Sequence, residues 1–385
     1  MKKNENLVDQ TKPNSFIVAG QGFTSDLLKH IKSSDVHIMT VKELENSNVS
    51  FSSKDKLYVP SETALPDVLE NTKDKNLRTT VEAFKDKAKC RQLISSLFPN
   101  FYFKTCKLAD LPKFHIEPGK KYVVKPVKGF FATAVKVIDD KANLAEITQE
   151  MLNELQKFGT YFSKDILFAE DVLIEEFIEG EEYAVDVFYS SNGTPVITNI
   201  THHPINPNSP YLQMLYYSSK EIFEELYQPM IDFFTKLGKK IDIRSFAIHA
   251  EFRYHNNKLT PIEFNPLRFG GFGLADLTYH AYGINPFEIF FNDKTIDWKK
   301  VWEEKGDACY AWVLGNNGVN LDLQKWQPDH EAFKKLFSNL LYYNKLAYQE
   351  NPAFAIAYIK EENKEKLFKL LDIEFRDLFV ETQVR

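Results

Sequence analysis

The sequence predicts an α/β chain of two or three domains, and three observations carry that expectation. Its 385 residues exceed what one hydrophobic core usually serves. It opens on a strand–helix–strand alternation. Near its middle, residues 246–266 alternate apolar and polar side chains with period two on both sides of a short polar turn, the pattern of a half-buried β-hairpin.

The elements follow in order. Residues 1–14 are polar and expected to fray. Their lysines have no apolar stretch behind them, so no signal peptide is expected. Phe16 begins a buried strand that ends at Gly20, Thr24 caps a helix through Lys32, and residues 36–40 and 57–60 are further strands. Gly20-x-Gly22 lacks the full dinucleotide-binding fingerprint and reads as a tight turn. This first domain, residues 1–77, closes in the polar run at 71–76. Residues 80–97 read as one helix capped by Thr79 or Thr80, with Lys85, Lys87 and Lys89 clustered within it and Pro99 ending it. Residues 121–126 are a strand ending in Lys125-Pro126, 128–133 a turn and 134–138 a returning strand. A lysine before a glycine-containing turn suits a plain hairpin or a loop that folds over phosphates. Residues 144–158 are a helix by apolar spacing. Strands at 172–178 and 183–189 flank the turn Glu179-Gly180.

Five acids crowd that turn: Glu175, Glu176, Glu179, Glu181 and Glu182. Like charges repel there, so some are expected to receive hydrogen-bond donors. Residues 201–210 read as a Pro/Asn-rich loop, and its His202 and His203 lack a third ligand for zinc. Residues 222–237 form a helix ending at Gly238. After the hairpin, Gly270, Gly271 and Gly273 open a helix at about 274–282. Such a turn is either an anion site beside Arg268 or a connection needed for backbone geometry. From residue 294 the chain is α/β again.

Register decides what the hairpin can do, because a one-residue slip turns every side chain to the other face. A two-residue Asn256-Asn257 loop would pair Glu263 with Ala250. A three-residue loop pairs Glu263 with Glu251, Asn265 with His249 and Ile262 with Phe252. Only the second keeps apolar opposite apolar, so it is the expected one. It sets two carboxylates against each other, which is repulsive by itself. Two readings stand at this point: a solvated polar face, or a hard divalent cation between the glutamates with Asn265 completing an all-oxygen set.

Composition narrows the class. The chain is 43% hydrophobic and 26% charged, an ordinary globular balance, and its net charge of −6 gives no support for nucleic acid or anionic membrane as a partner. No apolar run approaches the roughly 20 residues of a transmembrane helix. Cys90, Cys106 and Cys309 are widely spaced and form no CxxC, so reduced thiols and a cytoplasmic protein are expected.

Taken together, Lys-Pro with a glycine turn, Ile174-Glu-Glu-Phe-Ile-Glu-Gly-Glu-Glu182, then Glu251 and Pro261-Ile-Glu-Phe-Asn-Pro-Leu-Arg268 form a recognisable order. Over about residues 78–292 the chain resembles the ATP-grasp superfamily. The resemblance implies an N-terminal Rossmann-like α/β domain, a mobile α+β lid and a C-terminal antiparallel-sheet domain, with ATP held between two antiparallel sheets. The implied boundaries are a linking region at 78–105, a lid at 106–190, a catalytic subdomain at 191–293 and an extension at 294–385. It also implies roles. Lys125 is the lid lysine near the α-phosphate, and Lys87 the earlier ATP-contacting lysine, with Lys85 and Lys89 as alternatives. Glu175, Phe177 and Ile178 fall on the hinge that reads the adenine edge, and Glu182 on the ribose acid. Glu251, Glu263 and Asn265 match the Mg²⁺ ligands, with Mn²⁺ an open alternative, and Arg268 matches an arginine that stabilises the transferred phosphate. The loop at 127–133 departs from the family, which is richer there in glycine and serine. It implies that Phe130 or Phe131 covers the phosphates while Thr133 or a backbone N–H donates.

The activity this implies is an ADP-forming ligase that activates a carboxylate as an acyl phosphate for attack by an amine. Its partners would be small-molecule carboxylates and amines, amino acids or peptides among them; a homodimer stays open. Two other readings are an ATP-binding module without turnover and an enzyme using a non-carboxylate acceptor. Candidate substrate contacts are Arg244, His249, Arg253, Gly270, Gly271 and the loop at 202–211.

Overall fold

The computed structural model describes residues 13–32, 35–52, 54–128, 134–159, 171–208, 214–318 and 321–382. They divide into two compact units, one of residues 1–76 with 181–385 and the other of residues 77–180. Among the described residues no helix is long and apolar enough to cross a membrane.

The first strands are β1 (Ser15–Ala19), β2 (Val36–Thr40) and β3 (Lys56–Tyr58), with β1 parallel to both others. The expected helix after β1 is a 3₁₀ turn, Asp26–His30, capped by Ser25 and not Thr24: the Ser25 hydroxyl accepts from the Leu27 amide at 3.1 Å.

The unit of residues 77–180 holds β4 (Phe103–Lys107), β5 (Tyr122–Pro126), β6 (Lys136–Ile138) and β7 (Asp171–Glu176), in the antiparallel order β4-β7-β5-β6. A core including Leu111, Val124, Met151 and Ile174 lies between that sheet and the helix Leu144–Gly159. The single helix expected over 80–97 is two, Lys75–Lys85 and Lys87–Ile94. Asp86 between them is extended, and its carboxylate accepts from the Lys89 amide at 2.9 Å, so an internal cap ends one helix and starts the next. Residues 129–133, on which the expected phosphate loop falls, lie outside the described residues.

The other unit continues with β8 (Glu181–Tyr189), β9 (Pro195–His203), β10 (Leu215–Ser218), β11 (Phe246–His255), β12 (Lys258–Pro266), β13 (Cys309–Asn316), β14 (Trp326–Pro328), β15 (Leu340–Lys345), β16 (Ala353–Glu361) and β17 (Phe379–Glu381). Eleven strands form one sheet in the order β15-β16-β13-β10-β9-β8-β11-β3-β1-β2, with β12 also paired to β11. The expected loop at 201–210 is therefore corrected at its start: β9 runs through His203 and buries both histidines. The helix Lys220–Ile241 passes through Gly238 and ends at Asp242, which takes a left-handed φ of 46°. Gly238 is not a cap but a close approach, since a Cβ there would stand 2.6 Å from the Tyr189 ring.

That helix covers one face of the sheet. Phe233 packs on Phe252 and Phe264 with ring centroids 5.2 and 6.0 Å apart. Burying each such ring is worth on the order of 1.5–3 kcal/mol. Because strand side chains alternate, the same packing commits the intervening polar residues to the opposite face.

The hairpin reaches its expected pairing by a different route. Asn256 and Asn257 form a two-residue loop, with φ of 49° and 60°, and His255 pairs with Lys258. Two left-handed residues are what a type I′ turn demands. Uncorrected, that loop would have put Glu263 beside Ala250. A bulge opens between Glu251 and Phe252, Phe252 pairs with Pro261 and not Ile262, and Ile262 is the extra residue. Beyond the bulge Glu251 faces Glu263 and His249 faces Asn265.

Candidate active site

The polar face of the large sheet carries alternate residues of four adjacent strands. In register these are Glu182 and Asp186 on β8, His203 and Asn199 on β9, His249, Glu251 and Arg253 on β11, and Glu263 and Asn265 on β12. Asn265 and Asp186 are buried, while Glu251 and Glu263 are half-exposed. Two carboxylates and an amide oxygen so placed form an oxygen donor set of the kind hard divalent cations take. Among the described residues no three His, Cys, Asp or Glu side chains gather as a metal cluster, so any cation here rests on two carboxylates and oxygen from other groups.

Charge on this face is organised in pairs. Glu182 is held by His203 Nδ1 at 3.0 Å and by Arg253 Nη2 at 2.8 Å. Burial pushes its carboxyl up, but these two partners outweigh burial and hold it below the usual carboxylate range. His203 stacks on Tyr216, with ring centroids 4.2 Å apart. His249 Nδ1 lies 2.8 Å from Asp186 Oδ1, and its Nε2 lies 3.7 Å from Glu251 Oε1. Burial alone would push the His249 imidazole down; the two carboxylates reverse that and raise it to about 9.

Beyond β12 the chain bends sharply. Leu267, Phe272 and Gly273 all have positive φ, 61°, 53° and 82°. Leu267 is bulky for that conformation, and its carbonyl accepts from the Val59 amide at 2.8 Å. Arg268 donates through Nη2 to Glu62 at 3.0 Å and through Nη1 to the Phe269 carbonyl at 3.1 Å, which fixes the guanidinium plane. The Gly270 amide donates to Asp186 at 2.7 Å. A Cβ on Gly270 would stand 2.9 Å from Leu274, and one on Gly271 3.4 Å from Arg268 Nη1.

A second charged cluster lies within residues 77–180. Glu175, buried on β7, receives Arg91 Nε at 2.7 Å and Lys125 Nζ at 2.5 Å. Burial pushes the Glu175 carboxyl up, yet Lys125 and Arg91 bring it below its ordinary value. Burial pushes the Lys125 ammonium down further than Glu175 raises it, and the charges of Arg91 and Lys87 add to that fall. Lys87 opens its helix, with its amide on the Val127 carbonyl at 2.9 Å, while Lys89 is exposed. The Phe177 amide donates to Lys121 O at 3.0 Å, and Phe177 and Ile178 are half-buried.

Sequence reasoning missed two members of these sets. Arg91 sits in a helix that offers no pattern marking it, and the acid crowding at 175–182 was the sole hint that a cation was needed. Asp186 looks like any polar residue of an alternating strand. His202, one residue from His203, turns to the other face and meets Glu181 at 3.0 Å and the Tyr217 hydroxyl at 3.1 Å. There a cavity of about 630 Å³ opens, lined by Glu181, His202 and Phe368 among others, which shares no residue with the polar face.

Residues 119–276 match the sequence profile of the ATP-grasp domain. The chain carries an ATP-grasp domain. Its fold is shared with solved structures across nearly the whole length. An L-amino acid ligase from Bacillus licheniformis superposes with a TM-score of 0.65 at 17% identity, covering 97% of this chain and 100% of that one. N5-carboxyaminoimidazole synthetase from Staphylococcus aureus, complexed with ADP, gives 0.60 at 11% identity, covering 94% and 97%. The biotin carboxylase domain of the Hydrogenobacter thermophilus 2-oxoglutarate carboxylase, complexed with MgADP, ADP and bicarbonate, gives 0.51 at 12% identity, covering 79% and 68%. No match to a curated protein sequence is found. The ATP-grasp match spans both charged clusters in part: it contains Lys125 and Glu175 as well as Glu251, Glu263, Asn265 and Arg268.

Proposed function

We propose that this chain is an ATP- and Mg²⁺-dependent, ADP-forming ligase that activates a carboxylate as an acyl phosphate and joins it to an amine. The observation that carries the reading is the facing of Glu251 and Glu263, with Asn265 two residues along on the same face and Arg268 just beyond. Two carboxylates opposed in a sheet are destabilising unless a cation lies near, and this all-oxygen set fits a hard dication. Bound there, Mg²⁺ would neutralise charge on the terminal phosphates of ATP.

The chain's own groups do the remainder. In the first half-reaction a substrate carboxylate oxygen attacks the γ-phosphorus, the bond to the β–γ bridging oxygen breaks, and ADP leaves with the electron pair. Arg268, its plane fixed by Glu62, offers positive charge where negative charge develops on the oxygens of the transferred phosphoryl group. In the second half-reaction the amine nitrogen attacks the acyl carbon, inorganic phosphate leaves, and the nitrogen gives up a proton. Lys87, Lys125 and the backbone at Glu175, Phe177 and Ile178 take the nucleotide's other groups. Glu182, already oriented by His203 and Arg253, accepts a ribose hydroxyl. Gly270 and Gly271 supply backbone close to Arg268, where a substrate carboxylate would approach. Likeness to an L-amino acid ligase supports amino acids as the carboxylate and amine, in a cytoplasmic protein.

The test is product analysis with purified protein, ATP and Mg²⁺, and amino acids and short peptides supplied pairwise. ADP, phosphate and a condensed product in equal amounts are expected. Stoichiometric AMP and pyrophosphate would overturn the reading.

A further inference from the structure

Asp186 has no part in the chemistry above, yet it is one of the most enclosed charges on the polar face, 5% exposed in the middle of β8. Aspartates are almost never fully buried unless paired. Its Oδ1 takes two donors, His249 Nδ1 at 2.8 Å and the Gly270 amide at 2.7 Å. The two donors belong to different parts of the site. His249 touches Glu251 through its other ring nitrogen, at 3.7 Å. Gly270 lies two residues past Arg268, in the bend whose backbone is strained at Leu267 and Phe272.

We propose that Asp186 is a positioning residue that ties the metal-binding carboxylate Glu251 and the Arg268 loop to one point of the sheet. The proposal rests on the reading of Glu251, Glu263 and Asn265 as metal ligands. Its physical basis is rigidity. Glu251 faces Glu263 and, left alone, would swing away from it. The His249 ring stands 3.7 Å from Glu251 and limits where that carboxylate can swing, which it does only if the ring itself is fixed. The Asp186 bond fixes the ring, as outer partners fix the ligands of metal sites generally. Backbone in sparsely populated conformations persists only where its surroundings over-determine it, and the Gly270 bond supplies that for the bend. Glycine is needed at 270 because a Cβ would press on Leu274 at 2.9 Å. One carboxylate oxygen thus sets the spacing between the cation's ligands and the arginine that meets the phosphates.

The experiment measures Mn²⁺ binding to the full chain in the presence of ADP, by the loss of the free-ion electron paramagnetic resonance signal. Asp186→Asn keeps the shape but loses the charge, and is expected to weaken Mn²⁺ affinity about 10–100-fold, the usual cost of an outer partner. His249→Gln keeps an amide toward Glu251 while losing the Asp186 bond; it should weaken affinity too, and it carries the test if Asp186→Asn does not fold. Tyr189→Phe is the control for a structural effect. It lies on the same strand and loses a buried hydrogen bond, from its hydroxyl to the Phe234 carbonyl at 2.7 Å, but it should bind Mn²⁺ as the unaltered chain does. Asp186→Asn binding like the unaltered chain, or Tyr189→Phe losing as much as Asp186→Asn, would overturn the proposal. If the unaltered chain takes up no Mn²⁺ with ADP, the metal reading itself fails and the positioning role falls with it.

Discussion

Glu263→Gln should stabilise the metal-free protein and destabilise the protein saturated with Mg·ADP. Glu251 and Glu263 are directly opposite in the sheet, which sets their Cβ atoms about 4.5–5.5 Å apart. Two unit charges roughly 5 Å apart repel by about 0.8 kcal/mol in bulk water and about 3 kcal/mol at an effective dielectric of about 20. Both side chains are half-exposed, and His249 at 3.7 Å from Glu251 offsets part of the repulsion. Relief of about 1 kcal/mol is therefore expected, a rise of about 1 °C in midpoint for a chain of 385 residues. The unaltered protein at a ligand concentration of about 100 Kd gains about 2.7 kcal/mol from Mg·ADP, and the variant should lose most of that gain. Thermal unfolding followed by tryptophan fluorescence, once with chelator and once with Mg²⁺ and ADP, reads both effects. The two proteins should change rank between the conditions. Equal midpoint gains with Mg·ADP, or a variant less stable in chelator, would refute the reasoning.

Arg268→Ala should lower kcat about 10²–10³-fold while ATP still binds by calorimetry; loss confined to ATP affinity would contradict the role given to it. Gly238→Ala should destabilise by about 1–3 kcal/mol in urea, since the new methyl would stand 2.6 Å from the Tyr189 ring; a neutral result would count against that packing. Burial raises the Asp276 carboxyl to about 7, with the Ser25 hydroxyl bond working the other way. A raised folded value means the native state holds the proton more tightly, so this group's contribution is complete below its unfolded value and is lost as pH rises through about 7. Asp276→Asn should remove a stability loss of up to about 4 kcal/mol between pH 4 and 8, and an unchanged pH profile would rule the effect out.

How much of this was legible in the sequence depended on whether the deciding interaction was local. Period-two alternation made the hairpin visible, and the demand that apolar face apolar selected the pairing of Glu251 with Glu263. The route was not visible. Two asparagines accept left-handed φ and close a tight turn by themselves, and the bulge at Ile262 restores the register afterwards. Asp86 ends a helix by capping the next one, a choice that composition does not distinguish from a charged helical surface. The loop expected at 201–210 begins inside β9 because Pro204, Pro207 and Pro210 dominate the local signal, while the strand before them is specified by its pairing with β8 and β10. Arg91 and Asp186 were beyond reach for the same reason. Each is defined by a partner at least sixty residues away, Glu175 in one case and His249 in the other.

The central claim, that ATP activates a carboxylate as an acyl phosphate, is tested most directly by isotope transfer. A substrate acid carrying ¹⁸O in its carboxylate is turned over with ATP, Mg²⁺ and the amine that together support ADP release, and the phosphate formed is analysed by mass spectrometry. An acyl phosphate must hand one carboxylate oxygen to the phosphate, so one ¹⁸O per phosphate is predicted. Phosphate free of ¹⁸O, or label recovered in AMP, would contradict the account.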